Sequence, residues 1–364
     1  MTRPACFSSA NFADALSETK SFGKLLLVDA TASWCGPCKV MDQITWVDAK
    51  VVDWLSAHGT AIQIDVDEEK ELAARLKIRA MPTVIVFRDG VEFDRSLGLK
   101  KPDELIGWLE GVLRGETTLS QAKKTATEQP KNMMARLDFA RTMLMSGKLD
   151  EATEEFVWLW QHVVEHEPGM SGVRVSFMAN DLAQLTQQHP PAKARLSALR
   201  DELTELVESN RASAEHLQDW VVLNEALGEQ DRFLAWFDRV RDTYRPKPED
   251  HWVLEQKLIP MLIERKRWAD AGRLFLAPLQ VLRRHQEMFA HPPEYPGMPE
   301  EMRTAMLAQL KQFFVDRAAR LHVSLKAAGR LDDAKAVLDE ARKLMPGEHL
   351  EQTITHTLSQ AGLI

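Results

Sequence analysis

The sequence predicts an α/β unit over residues 1–115, a polar linker over 116–130 and an all-α region over 131–364. Three observations predict it. In the first stretch short apolar runs alternate with amphipathic segments, the pattern of strands interleaved with helices, and a turn-linked pair of runs closes it. Trp34-Cys35-Gly36-Pro37-Cys38 follows closely on the apolar run Leu25-Leu26-Leu27-Val28, which puts two thiols where a strand hands over to a helix. From Lys131 onward β-branched runs nearly vanish and long segments of helical apolar period take over.

Residues 9–20 are expected to form a helix capped by Ser9, with Phe12, Ala15 and Leu16 on its apolar face. Residues 24–30 read as a buried strand. A helix continues over 39–45 after the cysteines, and Val51, Val52, Trp54 and Leu55 indicate another after a break. A second strand is expected over 61–66 and a second amphipathic helix over 68–76. Met81-Pro82-Thr83 leads into a strand over 84–87, Asp89-Gly90 is a hairpin turn, and 91–97 returns. Residues 102–113 close the unit with a helix.

Two thiols separated by two residues can close a small disulfide when they occupy the first turn of a helix. Unpaired N–H groups and the helix dipole there favour the thiolate of the outer sulfur, so Cys35 is expected to be the nucleophile and Cys38 the resolving thiol. A net charge of −8 and the lack of a basic block argue against a nucleic-acid binder. No apolar run is long enough to cross a bilayer, and the first twenty residues lack a basic start and an apolar core. The expected location is therefore the cytoplasm, away from membranes. The chain has three cysteines, too few for a disulfide framework, and Cys6 reads as an ordinary thiol.

In this order and spacing the first third of the chain resembles the thioredoxin family. Val28-Asp29 precedes the Trp-Cys-Gly-Pro-Cys-Lys run at the family's spacing, Met81-Pro82-Thr83 resembles its cis-proline segment, and Leu97-Gly98 resembles its late glycine. The resemblance implies a thioredoxin fold and a protein-disulfide reductase whose redox group is a Cys35–Cys38 disulfide, with no other cofactor and no metal. It implies that Asp29 is a buried carboxylate exchanging a proton with Cys38, and that Pro82 sets its loop against the sulfurs. Trp34, Gly36, Pro37, Met81 and Thr83 are implied to contact the substrate, the Met81 backbone by strand addition. The partners implied are proteins with disulfides or thiols and an external reductant such as a thioredoxin reductase. Two positions depart from the family: Gln43 stands where a kinking proline is usual, and Gln63 where a lysine often partners the buried aspartate. The run Thr45-Trp46-Val47-Asp48 followed by Val51 is similar in spacing to the C-terminal reducing domain of bacterial membrane thiol-disulfide interchange proteins.

The helical region is similar to tetratricopeptide repeats. Ala140 and Ala152 flank Gly147-Lys148-Leu149, and Gly329, Leu331, Ala334, Ala341 and Pro346 form a closer copy, with weaker ones around Gly228 (Phe233, Phe237) and Trp268 (Ala271, Phe275). Pro190-Pro191, Pro246 with Pro248, and the stretch from His291 to Pro299 are expected as loops. Such repeats leave a concave face, which implies a domain that selects a partner or client. The combination also looks like chaperedoxins, which hold unfolding clients and guard their cysteines by mixed disulfides. His162-Val163-Val164-Glu165-His166 has the spacing of a zinc-binding helix, but no further acidic ligand follows it, and a solvated helix face is the expectation. A zinc site at Cys35 and Cys38 would need two more ligands that the sequence does not offer.

Overall fold

The computed structural model describes residues 3–245, 247–292 and 300–364. They fall into two compact units that divide between Met170 and Ser171.

The first unit runs through α1 (Phe12–Ser21), β1 (Leu25–Thr31), α2 (Gly36–Ile44), α3 (Ala49–His58), β2 (Gly59–Asp65), α4 (Lys70–Arg75), β3 (Thr83–Arg88), β4 (Val91–Leu97) and α5 (Pro102–Leu113). The four strands form one sheet in the order β2-β1-β3-β4, with β1 parallel to β2 and antiparallel to β3. Asp89 (φ 55°) and Gly90 (φ 82°) make the expected tight turn from β3 to β4. Helices cover both faces, so β1 is buried along almost its whole length and its apolar run needs no polar alternation. Leu25 and Leu27 pack with Met41, Trp54 and Leu109 on one face, whereas Leu26, Val28 and Ala30 pack with Phe12 and Ala15 on the other. Alternation then assigns Asp29 to the face covered by α2, α3 and α5.

Local chemistry sets the helix ends. The cap of α1 is Asn11, whose side chain accepts from the Asp14 N–H, so the cap lies two residues beyond the one expected at Ser9. Helix α2 stops at Ile44 because the Thr45 hydroxyl donates to the Lys100 carbonyl (2.6 Å) and Trp46 turns fully inward against Phe7, their rings 4.9 Å apart. The chain then restarts as α3 under an Asp48 cap. A helix that ends here has no need of a kink at position 43, and Gln43 is exposed.

The segment expected as a linker, 116–130, holds a helix, α6 (Thr118–Glu128), in the same compact unit as the sheet. Its polar composition misleads because its anchor is polar. Asp94 of β4 accepts from the Thr118 N–H, the Thr118 hydroxyl and the Trp108 indole, each at 2.8 Å. α7 (Met133–Met145) packs on α6 and pairs with α8 (Leu149–His166), burying Ala140 and Ala152 completely.

The second unit contains helices only among the described residues. Six helix-to-helix turns among the described residues share one geometry. Gly115 (φ 84°), Gly147, Gly228 and Gly329 (each φ 74°), Asn210 (φ 56°) and Lys266 (φ 58°) follow a helix end in the left-handed region. In each, the N–H of the next residue reaches back five positions and that of the turn residue three, for example Lys148 to Met143 and Gly147 to Leu144. This pairing satisfies the last carbonyls of the helix, and the left-handed turn residue explains glycine at four of the six positions. Pro190 and Pro191, expected in a loop, instead open the helix Pro190–Glu208, where a missing N–H costs nothing. Pro248 likewise opens a short 3-10 turn, while Pro246 and residues 293–299 of the proline-rich stretch lie outside the described residues. The long helix Glu300–Ala327 packs against Trp268–Leu274, Pro278–Ala290, Leu331–Leu344 and Glu348–Gln360. Among the described residues, no helix is long and apolar enough to cross a membrane.

Candidate active site

Cys35 and Cys38 are joined as a disulfide at the head of α2, with their Cα atoms 5.4 Å apart. Cys35 is the N-cap of the helix and its sulfur accepts from the Cys38 N–H at 3.2 Å, so the helix start supplies a donor to the outer sulfur. Pro37 sits in the first turn, where its fixed φ suits the helix and its lack of an N–H leaves nothing unsatisfied. Both cysteines are buried, at 5% and 2% exposure, beneath a rim in which Trp34, Gly36 and Pro37 are exposed. The Trp34 indole N–H donates to Asp67 (2.8 Å), which pins an otherwise free aromatic beside the pair.

The loop before β3 comes to the sulfurs. Met81 packs against the cluster of Ala32, Cys35 and Cys38, and the Met81-Pro82 peptide bond is cis. The Pro82 carbonyl accepts from the Gly98 N–H (2.8 Å), tying this loop to the end of β4, and the buried Thr83 hydroxyl donates to the Ala80 carbonyl (2.6 Å). The structure thus brings Trp34, Cys35, Gly36, Pro37, Cys38, Met81, Pro82 and Thr83 into one neighbourhood.

The core of the same unit holds a polar group. Asp29 is 2% exposed and aligned with Gln63 of β2, and the Gln63 amide donates both to Asp29 Oδ2 (2.9 Å) and to Asp42 Oδ1 (2.8 Å). Asp42 lies four residues after Cys38 on α2, hence on the same helix face one turn further along. One amide therefore links the buried carboxyl to the helix face that carries Cys38. Burial pushes the Asp29 carboxyl up to about 7; the Gln63 amide opposes the rise, the Asp42 charge adds to it, and the Trp46 indole opposes it more weakly. Asp29 Oδ1 and Trp46 Nε1 are both buried and neither makes a hydrogen bond of full geometry, so the indole acts on the carboxyl only as a weak contact. Asp42 is also raised, chiefly by partial burial. Cys6 packs at the edge of the same core, and burial, reinforced by Asp29 and Asp42, raises its thiol to about 11. That keeps it protonated and unreactive at neutral pH.

Asp42 is the participant that sequence reasoning missed. Its only signal was the four-residue spacing from Cys38, which becomes meaningful once β2 sets Gln63 opposite Asp29. In α8, His162 and His166 both lie against Trp158, ring centroids 5.1 and 5.5 Å away, with Arg136 on the same indole.

The thioredoxin family model matches residues 3–111. An H-type thioredoxin of Oryza sativa is 35% identical over 99 residues, covering 27% of this chain and 78% of that protein. A thioredoxin of Chlamydia trachomatis is 37% identical over 102 residues, covering 27% of this chain and 88% of its own. A crystal structure of a poplar thioredoxin h aligns at 29% identity over 29% of this chain and 91% of that one, with a TM-score of 0.26.

Proposed function

The chain belongs to the thioredoxin family through residues 3–111, and on that premise we propose a two-step reduction of protein disulfides in which the helical region selects the client. Its activity is thiol-disulfide exchange on protein substrates. The Cys35 thiolate attacks a substrate disulfide, one substrate sulfur leaves as thiolate, and a Cys35–substrate mixed disulfide forms. Cys38 then loses its proton to Asp29, attacks Cys35 Sγ and releases the second substrate thiolate, so two electrons pass from the cysteine pair to the substrate. An external dithiol system, of the thioredoxin reductase kind, restores the pair, and no further cofactor enters. Trp34, Gly36, Pro37 and Thr83 frame the approach to the sulfurs, and the Met81 backbone receives the extended substrate beside Pro82. The helical region holds the client near the sulfurs and raises its effective concentration. The cytoplasm, where thiols are kept reduced, is the compartment that suits a reductase.

The observation that carries this reading is the cysteine pair at the head of α2 with Met81 packed against it. The test is reduction of insulin by the full chain in the presence of dithiothreitol. Wild type accelerates it, Cys35→Ser abolishes the acceleration, and Cys38→Ser accumulates a mixed disulfide through Cys35. A wild type that leaves insulin intact yet suppresses aggregation of a heat-unfolded protein would replace the reductase reading with the holdase one.

A further inference from the structure

Two neighbouring cavities in the helical unit, of about 330 and 480 Å³, share Asp316 and Arg320. Both open along the helix Glu300–Ala327, so together they form a cleft running across it. One end is apolar, lined by Leu310, Phe313 and Met288, the last two more than half exposed. The middle and the other end carry donor residues: Arg317, Arg320, Lys266 and Trp268.

Three buried side-chain polar atoms lack a hydrogen-bond partner among the described residues of this unit, and the two that are nitrogen donors belong to residues lining the cleft. They are Arg317 Nε and Trp268 Nε1. Unmet donors inside a fold carry a cost that a nearby acceptor lessens; both atoms are themselves closed to solvent, so an acceptor in the cleft would meet Arg317 through the rest of its guanidinium. Charge agrees. Arg317, Arg320 and Lys266 make no ion pair among the described residues, and the facing carboxylates are Glu264 and Asp316, the latter already accepting from Gln312 (3.0 Å). His285 and His356 complete the titratable lining; the first is bonded to the Val281 carbonyl and the second to Gln360. Burial depresses the proton affinity of Arg317, the neighbouring Arg320 and Arg284 add to the fall, and Glu255 opposes it. Such a guanidinium is better accommodated with an added carboxylate than without one.

We propose that this cleft is where the helical unit holds its client, as an extended peptide segment with an apolar side chain beside a carboxylate. The apolar group lies against Leu310, Phe313 and Met288, and the carboxylate on Arg317 and Arg320. This rests on the reading that the helical region binds clients, and it names the chemistry recognised.

The test uses the full chain and a fluorescein-labelled peptide of alternating leucine and glutamate, with its glutamine analogue as control, followed by fluorescence anisotropy. The glutamate peptide should bind about tenfold more tightly than the analogue, and Arg317→Gln should erase that difference. Because Arg317 is partly buried, Arg320→Gln, at an exposed position, provides the second variant: it should weaken the glutamate peptide several-fold while reduction of a small aromatic disulfide is unchanged. Equal binding of the two peptides, indifference to Arg320→Gln, or displacement of the peptide by equimolar inorganic phosphate would each overturn the proposal, the last in favour of a small-anion site. Retention of an unfolded protein on gel filtration separates the two ideas. If wild type retains it while the peptides fail, the cleft assignment falls and client holding stands; if it retains none, both fall.

Discussion

At the scale of single residues the proposed exchange depends on the carboxyl of Asp29. An unfolded aspartate loses its proton near 3.8, whereas this one keeps it to about 7, so folding takes up a proton between those values. Stability contributed by this site is therefore greatest in acid, falls as pH rises through that interval and is level above it. The full difference is up to about 4 kcal/mol. Asp29→Asn should stabilise the chain by about 2–4 kcal/mol at pH ~8 and leave it nearly unchanged at pH ~4, while slowing release of the mixed disulfide. Urea unfolding at the two pH values checks the first part, and a stabilisation independent of pH would contradict it. Asp42 enters through the same carboxyl. Removing its charge in Asp42→Asn leaves Asp29 more acidic, because one contribution to the rise is lost. The pH midpoint for resolution of the mixed disulfide should move down, since the base form of Asp29 is then populated at lower pH. Stopped-flow release of a labelled substrate across pH measures it, and a purely structural role for Asp42 predicts a changed rate with an unmoved midpoint. Gln63 makes this coupling possible: a lysine there would neutralise the pair, whereas the neutral amide holds two acids together without supplying charge.

At the scale of elements, most of the α/β unit was legible because its signals are local. The apolar run of β1, the Asp89-Gly90 turn and the proline that opens α5 each state their structure within a few residues. The glycines at 147, 228 and 329 were legible for the same reason, since a helix ending in the left-handed region favours glycine. What could not be read was anything decided across space. α6, for one, follows from a carboxylate 24 residues earlier in sequence. Gly272 is such a case inside a helix. A β-carbon there would come within 2.0 Å of the Ser324 carbonyl oxygen, so the helix Trp268–Leu274 meets the long helix backbone to backbone. Arg330 clamps the same crossing by donating to the carbonyls of Gly272 (2.9 Å) and Phe275 (2.7 Å). Gly272→Ala must push the two helices apart and should cost about 1–3 kcal/mol or more. Gly169→Ala, where nothing lies within 4 Å of the added carbon, should stay within about 0.5 kcal/mol of wild type. Chemical unfolding of the two variants compares them, and equal midpoints would mean that the crossing yields without strain.

At the scale of the whole molecule the question is where the redox unit ends. Composition places a boundary in the polar stretch 116–130, and the matched family model stops at residue 111, yet the compact unit that contains the sheet continues to Met170. The difference is physical. α6 buries no side chain fully, so hydrophobicity gives no sign that it belongs to the fold, but it completes the hydrogen bonds of Asp94 and Trp108 through Thr118. Gln121 and Glu116 close over Gly111 in α5, where a β-carbon would come within 2.4 Å of the Gln121 amide nitrogen. α7 then covers α6 and carries its own buried residues, Met133, Leu137 and Ala140, against α8. A fragment ending at 115 keeps every residue of the cysteine site but strips acceptors and donors from Asp94 and Trp108, a loss of about 1–3 kcal/mol. For a fragment of this length that corresponds to a Tm lower by roughly 4–20 °C than that of a fragment ending at Met170. Both should reduce insulin below their melting points. Differential scanning calorimetry of the two fragments decides the matter: coincident Tm values would mean that the three helices after α5 contribute nothing to the redox unit and that the boundary belongs where composition puts it.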